Sequence, residues 1–120
     1  MRTVRAVVTT LVLGSAVGAF AAGCGDDAQP YKPGTHAHVG VSYETTLNTL
    51  CGVHYTYFDR RWWKASPPLD DGNGNAPPGW SDEQQDGKIK LVSEKLLRFH
   101  DDAGHVAVFR PYHGDVPTCQ

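Results

Sequence analysis

Apolar and polar side chains alternate with a period of two along much of the second half of this chain. Cys51, Val53, Tyr55 and Tyr57 are interleaved with Gly52, His54 and Thr56, and Lys88-Ile89-Lys90-Leu91-Val92 repeats the alternation. That period places successive side chains on opposite faces of a pleated strand. Trp62-Trp63-Lys64-Ala65 reads as a further strand, joined to the first through a turn at Asp59-Arg60-Arg61. Leu96-Leu97-Arg98-Phe99 and His105-Val106-Ala107-Val108-Phe109 form a hairpin around Asp101-Asp102-Ala103-Gly104, with Gly104 where a short loop needs a left-handed residue. Val39 to Leu50, rich in Thr and β-branched residues, predicts one more strand. No segment carries sustained 3.6-residue periodicity, an internal repeat or a helix with both caps.

Between the two groups of strands lies Ser66–Gly87, a 22-residue stretch holding four of the eight prolines and four of the glycines. A stretch of that length without secondary structure is unusual in a small domain and often functional. Trp80 is the residue expected to pin it to the body of the fold. The reading is mainly β: a small antiparallel sheet or partly closed barrel over residues 35–120, with one long Pro/Gly-rich loop.

The first 23 residues have a different character. Arg2 and Arg5 precede an 18-residue uncharged run from Ala6 to Gly23, the layout of an export signal. Cys24 directly follows Ala21-Ala22-Gly23, which points to a lipoprotein signal cut before Cys24, with the Cys24 thiol lipidated. Ala21 stands where such signals usually carry Leu. Two alternatives remain open: cleavage at Ala19-Phe20-Ala21 with release of a secreted protein, and retention of the run as a membrane-spanning helix. Residues 24–34, with two prolines, two glycines and two aspartates, read as a flexible tether. The expected location is the extracytoplasmic face of the cell membrane.

Cysteine and charge counts sharpen this picture. Of the three cysteines, lipidation would remove Cys24 and leave Cys51 and Cys119 as an even pair for one disulfide. Closing so long a loop contributes about 3–5 kcal/mol, a useful fraction for a domain of this size. Loss of Arg2 and Arg5 with the signal leaves 9 basic against 13 acidic residues, a net charge of about −4. No basic patch stands out, so nucleic acid is not an expected partner and membrane affinity falls to the lipid.

Four groups of residues bear on chemistry. Asp71, Asn73 and Asn75, with Asp82 eleven residues after Asp71, resemble the opening of a calcium loop, although Ala76 stands where such a loop needs Gly and turn chemistry explains the same residues. His36 and His38, at i and i+2, would share one side of a strand and suit a transition metal. Trp62, Trp63 and Trp80 are candidate ligand-binding residues. Neighbours on a strand face opposite ways, so one of Trp62 and Trp63 is expected to be exposed and able to stack on a sugar ring or a partner protein. Asp70-Asp71 and Asp101-Asp102 are adjacent carboxylates that turns account for. No nucleophile elbow, P-loop or HExxH motif is present, so neither catalytic residues nor a cofactor are assigned.

The combination of Cys51-Gly52-Val53, Asp59-Arg60-Arg61-Trp62-Trp63, Pro67-Pro68-Leu69, Asp71-Gly72-Asn73-Gly74, Pro77-Pro78-Gly79-Trp80, Leu91-Val92-Ser93 and Asp102-Ala103-Gly104-His105 resembles a group of short actinobacterial exported proteins. The resemblance covers about Leu47 to Arg110 and implies an exported location and a shared small β fold; it carries no functional residue. Those proteins often have Gly in the first hairpin turn, where this chain has Arg61. The expected role is a non-catalytic binding module for a cell-envelope glycan or protein, with a calcium- or transition-metal-binding lipoprotein and an enzyme as the alternatives.

Overall fold

A computed structural model describes residues 27–119. Cys24 and the export signal expected over residues 1–23 lie outside the described residues. Six strands form one sheet: β1 (Ser42–Asn48), β2 (Val53–Phe58), β3 (Arg61–Leu69), β4 (Gln84–Ser93), β5 (Leu96–His100) and β6 (Val106–Pro111). Their order is β1-β4-β5-β6-β3-β2, and every pairing is antiparallel. The sheet curls into a half-barrel, so the mainly β expectation holds, with β1 and β2 as its unpaired ends.

Each strand sends two buried residues to the concave face: Tyr43 and Leu47, Val53 and Phe58, Trp63 and Ala65, Ile89 and Leu91, Leu97 and Phe99, Ala107 and Phe109. Register explains the packing. Phe99 stands opposite Ala107 on one side and Ile89 on the other, while Phe109 faces Ala65 and Leu97. Each ring thus lies between an alanine on one neighbouring strand and a branched aliphatic residue on the other. Gly87 completes the scheme, because a Cβ there would fall 2.4 Å from the Phe99 ring.

In β2 the structure corrects the alternation read from sequence. Val53 is buried, yet Tyr55 and Tyr57 face outward and Phe58 takes the inner place. The cause is the turn. Asp59 and Arg60 both adopt left-handed backbone (φ 54° and 59°), giving a two-residue hairpin that pairs Phe58 with Arg61. Arg61 is therefore the first residue of β3. Past Tyr55 the register breaks, and one residue of β2, His54, opposes Ala65 to Pro68 of β3. A bulge of this kind changes which face a side chain meets, and Val53 returns to the core.

The same irregularity shortens the long loop. β3 continues through Pro67 and Pro68 to Leu69, and β4 begins at Gln84, so the connection is residues 70–83. Proline lacks a ladder donor, but here both prolines lie in the bulge and beyond the reach of β6, whose pairing ends at Ala65. The loop is fastened at its far end: Thr49, fully buried, donates through Oγ1 to the Ser81 carbonyl at 2.6 Å, and its amide donates to the Glu83 carbonyl at 2.9 Å. Trp80 packs its ring on Phe99 and His105, as expected of a loop anchor.

The tether, too, is shorter than its composition suggests. Gln29 pairs with the free edge of β1, donating to the Ser42 carbonyl at 2.9 Å and accepting from the Glu44 amide at 2.8 Å. Tyr31 then fills the gap between β1 and the end of β2, with its ring 4.5 Å from that of Phe58 and 5.7 Å from that of Tyr43. Its hydroxyl accepts from the Asp59 amide. Residues 29–31 belong to the domain.

Candidate functional site

The outer face of β2, β3 and the end of β6 carries a row of aromatic rings. Tyr57 and Trp62 oppose each other at a site where the two strands do not exchange backbone hydrogen bonds, which brings side chains closest. Their ring centroids are 5.3 Å apart in an edge-to-face arrangement. Next along, Tyr55 opposes Lys64, and Tyr112 packs against Tyr55 at 5.1 Å. The Tyr112 amide donates to the Trp62 carbonyl at 3.0 Å, continuing the β3–β6 ladder by one residue. The Lys64 ammonium lies 5.6 Å from the Tyr112 ring and 6.0 Å from that of Tyr55. Burial against these neighbours, and then Tyr55, raise the Tyr112 phenol above its ordinary value. Tyr57 is 52% exposed and Trp62 40%.

Beside this face runs a groove of about 800 Å³. On one side it is lined by Gly52, by His54 to Tyr57 of β2, and by Trp62. The far walls are Thr46 and Asn48 of β1, Asn73 and Gly74 of the long loop, and the closing segment 116–119. No Asp, Glu, Lys or Arg lines it. The Cys51–Cys119 pair, with Cα atoms 5.8 Å apart, ties that segment to the foot of β2, so the disulfide shapes one end of the groove.

His54 borders the groove, with Nε2 2.9 Å from Asp70 Oδ2. The bond from His54, then that from the Gly72 amide, holds the Asp70 carboxyl below its usual value. A second pair, His105 and Asp101, lies on the opposite side of the loop at 2.6 Å. Neither imidazole hydrogen-bonds a hydroxyl or thiol among the described residues. The pairs join residues 16 and 4 apart in the chain. Only Asp101, at the first position of a turn, gave a local signal, and Tyr112 gave none because β6 extends past a proline.

The structure separates the other candidates. Trp63 is fully buried, with its indole N–H donating to the Phe58 carbonyl at 2.9 Å and Arg61 stacked on its ring; it offers no surface to a ligand. Trp80, itself in the loop, is half-buried against Phe99 and His105. Asp71 accepts from the amides of Asn73 (2.7 Å) and Asn75 (3.1 Å) and from the Asn75 side chain (3.0 Å), so its carboxylate closes a turn. Asn73 itself borders the groove, and Asp82 lies exposed beyond it. His36 and His38 precede β1 outside any strand, so the same-side argument lapses. His36 instead meets Asp59 and Arg60, while the His38 amide donates to the Tyr43 hydroxyl. Among the described residues no three His, Cys, Asp or Glu side chains converge as metal ligands.

Compared with known protein families, curated proteins and solved structures, the chain matches none.

Proposed function

We propose that this protein is a non-catalytic binding module, held on the outer side of the cytoplasmic membrane by lipid on Cys24, that takes an uncharged component of the cell envelope in the β2 groove. The observation that carries the reading is the exposed Tyr57–Trp62 pair beside a groove without charged walls. Exposed aromatic pairs are costly to leave in water and enriched where partners dock. Hydroxyl, amide and imidazole groups (Thr46, Asn48, His54, Thr56, Asn73, Thr118) supply orienting hydrogen bonds, the mixture that neutral polar ligands need.

Membrane attachment rests on cysteine pairing. Cys51 and Cys119 take each other, which leaves Cys24 as the odd thiol directly after the export signal. Mass spectrometry of protein taken from its host reads the cut site and acyl mass together. An unacylated chain in the culture medium overturns the anchor.

The binding reading is tested by retention on an insoluble cell-envelope fraction, followed by Trp62→Ala and Tyr57→Ala. Loss of a stacked aromatic at a binding centre costs about 2 kcal/mol or more, so each variant should bind at least tenfold more weakly with its melting temperature unchanged. Equal retention of wild type and both variants defeats the reading.

A further inference from the structure

The free edge of β2 is built to receive another strand. The two-residue turn fixes which backbone groups point where: Phe58 and Thr56 bond to β3, and the Trp62 carbonyl turns away from β2 to accept from Tyr112. The N–H and C=O of Tyr55 and Tyr57 therefore point out of the sheet into the groove. No backbone partner meets them among the described residues. Folded proteins normally guard such an edge with Lys, Pro or a covering segment. β1 has both a charge, Glu44, and a cover, Gln29. Val53-His54-Tyr55-Thr56-Tyr57-Phe58 has no proline, no formal charge and no cover.

We propose that the groove binds an extended, uncharged peptide that adds to the β2 edge as a strand, its main chain bonding to Tyr55 and Tyr57 and its alternate side chains meeting the Tyr57–Trp62 face. This rests on the binding-module reading and names the ligand class for that site. Three observations favour a single extended chain. Gln29 already adds to the opposite edge of the half-barrel through the same paired donor and acceptor, so the curvature accepts an added strand. No Asp, Glu, Lys or Arg lines the walls, which leaves neither a lysine nor a carboxylate there to recruit an ionic ligand. The edge is flanked by Thr46 and Asn48 and by segment 116–119, which a folded second copy would have to clear and a single extended chain would not.

Strand addition draws affinity from the main chain and is tolerant of sequence, so a capped octapeptide of alternating Thr and Val is a sufficient probe. The protein is titrated with it and followed by amide NMR and hydrogen exchange. The expected result is at least tenfold slower exchange at the Tyr55 and Tyr57 amides. N-methylation of one alternate set of peptide amides should abolish binding, whereas N-methylation of the other set spares it. Tyr57→Pro, which removes an edge donor as well as the ring, should bind at least tenfold more weakly than Tyr57→Ala, which removes the ring alone. Should the proline variant unfold, the two methylated peptides still decide. A linear β-linked N-acetylglucosamine oligosaccharide that perturbs Trp62, with no peptide protecting Tyr55 or Tyr57, would overturn strand addition and leave the binding module standing. If neither engages the groove, both fail. A concentration-dependent dimer protecting the same amides without peptide assigns the edge to a second copy and also overturns the proposal.

Discussion

The imidazole of His105 and the carboxylate of Asp101 meet at 2.6 Å beneath the Trp80 ring, which stacks on His105 with centroids 4.7 Å apart. Asp101 also accepts from the Gln85 side chain and from the amides of Ala103 and His105, with its own side chain only 5% exposed. Burial alone would raise its carboxyl; the bonds from His105 and Ala103 outweigh that and hold it below the usual carboxylate range. A carboxyl depressed by folding stabilises the native state at pH above its unfolded value, near 4, and that contribution is lost as pH falls through the lower folded value. Stability should therefore drop in acid below about pH 4. Asp101→Asn should be less stable than wild type at pH 7 and should show a flatter acid limb, measured by denaturant unfolding at several pH values.

The adjacent tryptophans should respond oppositely to truncation. Trp63→Ala empties the centre of the core and should cost about 3–5 kcal/mol. Trp62→Ala removes a ring from the surface and should change stability by no more than about 0.5 kcal/mol. Thermal melts of the two variants side by side read this difference.

Gly87→Ala should destabilise although the substitution is small. Its Cβ would meet the Phe99 ring at 2.4 Å and the His100 carbonyl at 2.6 Å, and only the ring has any freedom to move. Overpacking of this kind costs about 1–3 kcal/mol. Pairing Gly87→Ala with Phe99→Leu should recover part of the loss, a coupling that a double-mutant cycle measures.

Reduction of Cys51–Cys119, or Cys51→Ser with Cys119→Ser, should lower stability by about 3–5 kcal/mol through the freed chain entropy. The same change releases segment 116–119 from the foot of β2, so ligand retention should fall at temperatures where the reduced domain is still folded. Retention on the envelope fraction before and after reduction checks this.

How far the sequence spoke depended on the range of the interaction. β4, β5 and β6 were legible because their alternation and the Gly104 turn are local. The facing of β2 was not legible, since its period-2 pattern is equally consistent with either face and the choice is made by the Asp59-Arg60 turn and by the bulge opposite His54. The end of β3 was hidden by Pro67 and Pro68, which block a regular ladder but not a bulged edge. The calcium-like loop dissolved because Asn73 and Asn75 donate to Asp71 rather than stand free. The groove itself had no sequence signature: its walls come from β1, β2, the long loop and the final residues, brought together only by the curl of the sheet and the disulfide.

The alternation of backbone partners along β2 is the point on which the binding account turns, and amide hydrogen exchange of the unliganded protein measures it residue by residue. Exchange should be slow at Thr56 and Phe58, whose amides bond to β3, and fast at Tyr55 and Tyr57, whose amides face the groove. Equal protection at all four positions would mean that the β2 edge is already paired, and would contradict the binding account.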